Sequence, residues 1–350
     1  MSVTNITDKK PVSNGQRRNF SLVRLILEGR AFFALIAIIA VFSFLSPNYF
    51  TLDNFLIMAS HVAIYGILAI GMLLVILNGG IDLSVGSTLG LTGCVAGFLM
   101  QGVVLSSFGI ILYPPVWAVV ILTCVLGGIV GAVNGVLIAY LRVPAFVASL
   151  GVLYVARGFA LLMSNGLAYN NLAGRPELGN TGFAWLGSNR LAGIPISVLV
   201  LAALAIICGL VLSRTAFGRW LYASGGNERA ADLSGVPVRQ VKIAVYVLSG
   251  VCAAVAGLVL SSQLTSAVPM AGNTYELTAI AAVVIGGAAL TGGRGTARGT
   301  MIGAFVIGFL SDGLVIIGVS SYWQTVFTGA VIVLAVLMNS IQYGRRTKSS

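Results

Sequence analysis

The sequence predicts an all-α integral membrane protein, and three observations carry that prediction. Of 350 residues, 58% are hydrophobic and 8% charged, more apolar side chain than a soluble core of this length can hide. The apolar residues gather into runs of about 20, the length a helix needs to cross about 30 Å of hydrocarbon. Short breaks between the runs hold nearly all the Lys and Arg. The formal charge of +11 is therefore a topology signal, and no basic face for nucleic acid is visible.

Residues 1–30 are polar and basic (Lys9, Lys10, Arg17, Arg18, Arg24, Arg30), too long and too charged for the leading region of a cleaved signal peptide. A disordered cytoplasmic tail is expected there. A single transmembrane domain over 31–340 follows, with about ten spans: near 31–46, 55–77, 84–105, 116–140, 145–164, 195–213, 242–262, 277–291, 299–317 and 322–340. Residues 277–317 are so rich in Gly that two of these also read as one re-entrant unit plus one span, which would make nine. Residues 341–350 are expected to be a second cytoplasmic tail.

Placing both termini in the cytoplasm puts seventeen of the twenty Lys and Arg on that side; only Arg175 and Arg190 lie opposite, and Arg157 falls within a span. Cytoplasmic loops carry the excess of basic residues, and a shift of one helix would scatter them. The asymmetry thus supports an even span count. Two connections are long. Residues 165–194, on the periplasmic side, are poor in charge and hold Tyr169 and Trp185, which suits docking of another protein or lining a mouth. Residues 214–242, on the cytoplasmic side, are more charged, with a helix-prone patch at Glu228–Leu233 between Gly226 and Gly235.

Glycines recur four apart, as Gly86 and Gly90, Gly93 and Gly97, and Gly127, Gly131 and Gly135. Small residues at this spacing let helix backbones approach within lipid, so they predict close packing. Cys94, Cys124, Cys208 and Cys252 all fall in apolar runs, without a metal-ligand spacing, and read as small core residues.

The most informative break is NGGIDLSVGS, Asn78 to Ser87. A carboxylate such as Asp82 is costly near hydrocarbon unless it is paired, solvated or placed at a helix start. Two readings stay open. In one, Asp82 or Ser84 caps the next helix while Gly79, Gly80 and Gly86 allow a tight turn. In the other, a broken helix lines the solute path. The run from Gly286 to Thr300 is also glycine-dense, but it has neither the Lys-Ser/Thr pair of a phosphate loop nor the spacing of a dinucleotide fingerprint. The chain therefore offers no nucleotide site, no cofactor site and no metal site, and any ATPase must be another polypeptide. Catalytic chemistry is thin as well: one His, nine acids and no nucleophile beside a base. His61 is expected to be a hydrogen-bonded interhelical residue. Arg157, Glu276 and Asp312 are further charges in or near spans, each readable as an anchor, a buried partner or a path residue.

Four stretches together resemble the ribose-type permease family of ABC importers, whose members carry monosaccharides and polyols: FLSPNYFTLDNF (Phe44–Phe55), GMLLVILNGGIDLSVGS (Gly71–Ser87), TAFGRWLYASGGNERAADLSGV (Thr215–Val236), and YELTAIAAVVIGG with GGRGTARGTMIGA (between Tyr275 and Ala304). The resemblance implies a multi-pass subunit of the bacterial inner membrane that pairs with a second permease copy. It also implies a cytoplasmic ABC ATPase, which binds the ATP, and a periplasmic solute-binding protein as partners. It places ATPase coupling at Gly225, Gly226, Asn227, Glu228, Ala231 and Asp232, and that segment is also the longest charged cytoplasmic connection. Polar residues in apolar surroundings make Asn78, Asp82, Ser84 and Asn134 candidates for lining or gating the path. An ion-coupled secondary transporter is the rival reading, since broken helices and buried charges occur there too. A membrane enzyme lacks the residues it would need, and a purely structural subunit leaves NGGIDLSVGS unexplained.

Overall fold

A computed structural model describes residues 29–105 and 109–346. The expected tail over 1–30 lies outside the described residues except for its last two, as do residues 347–350 of the second tail. Each of the ten predicted segments overlaps a helix, although the eighth, expected to run to 291, is helical only to Ile285. These are α1 (Arg30–Leu45), α2 (Leu52–Leu77), α3 (Val85–Gln101), α4 (Val116–Ala139), α5 (Ala145–Ser164), then, after the short α6 (Trp185–Ser188), α7 (Ile196–Arg214). Two helices, α8 (Ala216–Gly226) and α9 (Glu228–Leu233), precede α10 (Val238–Leu264), α11 (Tyr275–Ile285), α12 (Ala297–Ile316) and α13 (Ser321–Arg346). Of these, α2, α4, α5, α7, α10 and α12 are long and apolar enough to cross a membrane, and α1, α3 and α11 are shorter apolar helices.

The differences from expectation have local causes. The third segment stops being helical at Gln101, because Gly102 takes φ +99° and a two-stranded hairpin, β1 (Val103–Leu105) with β2 (Ile110–Leu112), follows. The 214–242 connection is mostly helical: the Thr215 hydroxyl accepts the Gly218 N–H at 3.2 Å and starts α8, and α10 already begins at Val238. The last helix continues to Arg346, into the stretch expected to be tail. Four short strands complete the structure: β3 (Tyr169–Asn170), β4 (Arg190–Leu191), β5 (Ile194–Pro195) and β6 (Ser266–Ala267). β3 pairs with β6, and β4 with β5.

The core is built around α2. From Gly66 to Leu77 this helix is apolar on every side, so it is best placed where every side is covered, and these residues are all buried, against α10, α12, α11 and α7. The four-residue glycine spacing works as packing. A Cβ at Gly127 or Gly131 would strike the carbonyl of Gly250 or Tyr246, so α4 lies backbone to backbone on α10. Elsewhere α4, α5 and α7 expose apolar side chains such as Ile121, Val125, Phe146, Phe159 and Leu210, as lipid-facing surfaces do.

Candidate functional site

The break between α2 and α3 puts one carboxylate inside the bundle. α2 ends at Leu77 with Asn78 as its C-cap, and Gly79 takes φ +80°, a conformation few other residues adopt without strain. Asp82 is 1% exposed. Its Oδ1 accepts the Ser84 backbone N–H at 3.0 Å and the Ser84 hydroxyl at 2.6 Å. Asn134 of α4 donates from Nδ2 to the Ser84 hydroxyl at 2.9 Å and reaches Asp82 Oδ1 at 3.4 Å. Ser249 of α10 donates to Oδ2 at 3.0 Å. Ser84 does occupy the N-cap position of α3, but its side chain makes no cap bond; Asp82 binds the cap residue's own N–H instead.

Among the described residues the carboxylate is thus met by neutral donors from three elements and by no cation, which fixes the start of α3 against α4 and α10. Nothing in this arrangement supplies a nucleophile or a general base with access to a ligand. Two polar atoms beside it, Asn134 Oδ1 and the Tyr246 hydroxyl, are buried without a partner among the described residues. The Tyr246 hydroxyl faces Gly80, where a Cβ would approach to 2.5 Å.

Asn78 sits apart from this cluster. Its Nδ2 donates to the Ser224 hydroxyl of α8 at 2.9 Å, so it ties the break to the 214–242 segment. Glycines reinforce the joint. A Cβ at Gly225 would strike the Leu77 carbonyl, which already accepts the Gly293 N–H at 2.9 Å. Gly292 and Gly293, at φ +89° and +71°, bring the 286–296 turn against Gly225 and Gly226. The glycine density of that run therefore serves a three-way backbone contact between the end of α2, the end of α8 and the turn before α12. Tyr222 donates to the Gly295 carbonyl at 2.8 Å, and burial pushes its hydroxyl above the ordinary tyrosine range, so it stays a neutral donor.

Beyond the joint, α9 stands out from the bundle. Asn227 accepts the Ala230 N–H at 3.0 Å as its N-cap, and Ala231 is buried as its anchor. Glu228 and Asp232 are exposed, with Leu233 82% exposed next to them. Lys242 Nζ lies 2.6 Å from Glu228 Oε1. A cavity of about 590 Å³ lies between α9 and the end of α2, lined by Asn78, Gly80, Arg142, Asp232, Lys242 and Tyr246 among others. Asp82, Ser84 and Asn134 come together as a cluster, and the residues from Gly225 to Asp232 form a second one, with Asn78 bridging them. Sequence reasoning missed Ser249, Tyr246, Ser224 and Gly293. Ser249 carries only the weak signal of a hydroxyl beside Gly250 in an apolar run.

Residues 54–336 match the family described as branched-chain amino acid transport system / permease component. The ribose import permease protein RbsC of Escherichia coli K12 is 42% identical over 324 residues, 93% of this chain and 97% of the relative. The chain belongs to the ribose-type permease family of ABC importers. It is a transport subunit of the bacterial inner membrane. This permease is also 43% identical over 309 residues to the ribose import permease of Bacillus subtilis, covering 88% of this chain and 91% of the relative. The xylose transport system permease XylH of E. coli K12 matches at 34% over 362 residues, with 88% and 90% covered. No solved structure matches it.

Proposed function

We propose that this permease moves a monosaccharide or sugar alcohol into the cell, driven by a separate ATPase subunit that grips α8 and α9. The end of the bundle carrying Arg142, Arg229 and Arg294 faces the cytoplasm, as the charge asymmetry favours. Segment 214–242 is then the ATPase-coupling element. Segment 165–194 faces a periplasmic solute-binding protein, and two copies of the chain enclose the pore.

The observation that carries this reading is the contact of Gly225 with the Leu77 carbonyl. A push on α9 is delivered through backbone, without a flexible side chain, to the end of α2 and the break that holds Asp82. Complete burial of Asp82, Ser84 and Asn134 favours gating over lining: the cluster locks α3, α4 and α10 together, and Asn78 couples the lock to α8. The permease itself need not bind solute tightly, because the binding protein supplies affinity and ATP binding supplies the free energy to switch states. Low charge along the spans suits a neutral, hydroxyl-rich solute. The names of the ribose and xylose relatives favour a sugar over the amino acid in the family description.

The test is solute uptake in reconstituted vesicles with a candidate ATPase and a panel of binding proteins, comparing Glu228→Ala with the unmodified chain. Uptake that needs ATP and is lost in the variant supports the importer and places coupling on α9. Uptake indifferent to ATP but driven by an ion gradient would establish the secondary transporter instead.

A further inference from the structure

Four residues that the gating cluster does not use meet on another face, in the half of the bundle away from the basic end. His61 of α2 and Asp312 of α12 approach to 3.3 Å, and the His61 side chain is 52% exposed. His61 lies ten residues past Thr51, about 15 Å along the helix from its start. Ionisable groups at such depth face protein or water, because hydrocarbon solvates them poorly. One turn deeper, the ring of Tyr65 packs edge-on to Tyr275, with centroids 4.9 Å apart and planes at 61°.

Tyr275 is the first residue of α11. Its contact with Tyr65 therefore places the start of α11 close to the middle of a bilayer about 30 Å thick. The chain reaches that depth from β6 through residues 268–274 without forming a helix, and Asn273 and Thr274 are exposed. Non-helical backbone at membrane depth survives only where protein covers it or water does. Asp312 Oδ2 is buried and has no hydrogen-bond partner among the described residues. Below Tyr65 the face closes, since Leu68 and Met72 are fully buried. The exposed His61, the part-buried Asp312 and an exposed irregular segment thus meet on one face, which closes at mid-membrane.

We propose that this face is a solute-binding wall of the translocation path. Tyr65 and Tyr275 offer the C–H face of a sugar ring an aromatic surface, and the exposed His61, held by Asp312, offers its hydroxyls a hydrogen-bonding ring nitrogen. The inference rests on the importer reading. It gives the permease a brief low-affinity station between the binding protein and the gate at Asp82.

The test uses the reconstituted importer with its ATPase and binding protein. His61→Cys, Tyr65→Cys and Tyr275→Cys are exposed to a membrane-impermeant, water-soluble thiol reagent from the binding-protein side. Leu68→Cys and the unmodified chain, with its four native cysteines, serve as baselines. Labelling at 61, 65 and 275 above both baselines, slowed by sugar-loaded binding protein, is the expected result. Tyr275→Ala should raise the solute concentration for half-maximal uptake about fivefold, and Tyr275→Phe should restore it. Labelling no faster than at Leu68→Cys overturns the proposal and gives the face to lipid or to a closed protein contact. ATP dependence of the unmodified complex, measured alongside, separates the two claims. If uptake is ATP-driven while the cysteines stay silent, only the wall fails; if uptake ignores ATP, the importer reading fails and labelling decides the wall alone.

Discussion

The Ser249 hydroxyl donates to Asp82 Oδ2 at 3.0 Å, joining residues 167 positions apart. With Ser84 and Asn134 on the other oxygen, one carboxylate pins the α3 start, α4 and α10. Asp82→Ala would strand these donors, each buried donor costing about 1–3 kcal/mol. A lower thermal midpoint in detergent and poor assembly are expected. Asp82→Asn keeps an oxygen for Ser84 and turns an amide N–H toward Ser249 Oγ, so it should assemble. Loss of uptake in the assembled Asn variant supports gating; full uptake removes Asp82 from the path.

The glycine joint predicts a sharp contrast between neighbours. A Cβ at Gly225 strikes the Leu77 carbonyl and lies 2.7 Å from the Gly293 N, both backbone, whereas a Cβ at Gly226 meets nothing within 4 Å. Gly225→Ala should cost about 1–3 kcal/mol in overpacking and reduce ATP-driven uptake. Gly226→Ala should leave thermal stability close to that of the unmodified protein. Equal stability of the two would refute the backbone joint.

Hydrophobic runs made the helices legible in the sequence because lipid demands continuous apolar length, and α2, α4 and α10 were therefore visible without their neighbours. The NGGIDLSVGS break was legible because a carboxylate there has few tolerable environments. What covers Asp82 was not, since Ser249 and Asn134 are distant in sequence and single hydroxyls or amides in apolar runs are common. α8 was hidden for a different reason: Gly218, Gly225 and Gly226 weaken its helix signal, and two of these three are glycine because backbone from Leu212 and Leu77 presses against them. The residues 268–274 were also obscure, because their path depends on the glycines of α3 that receive them.

Those glycines differ in what they face. A Cβ at Gly86 would strike the Gly272 carbonyl and the Glu276 carboxylate, while one at Gly93 would meet the Ser261 hydroxyl at 2.7 Å, a group able to rotate away. Gly86→Ala should therefore displace residues 272–276 and lower the thermal midpoint clearly. Gly93→Ala should be tolerated, with any loss under about 1 kcal/mol. A midpoint scan of both variants checks the ranking, and the reverse order would show that 268–274 does not run along α3.

Substitutions at α9 separate folding from coupling. Glu228 and Lys242 form an exposed pair, with side chains 57% and 17% accessible, so Glu228→Ala should change stability by only about 0–1 kcal/mol. Asn227→Ala removes the cap bond to the Ala230 N–H and should cost about 1 kcal/mol, while Asn227→Asp keeps an acceptor there and should restore the helix. If α9 is where the ATPase grips, Glu228→Ala should weaken ATPase co-purification and ATP-driven uptake out of proportion to its small effect on stability. Asn227→Asp should retain more ATPase than Asn227→Ala, because the acceptor rebuilds the helix that presents Glu228 and Asp232. Full co-purification and uptake in both Glu228→Ala and Asn227→Ala would move the coupling surface away from α9, leaving α8 and the 286–296 turn as the places to search.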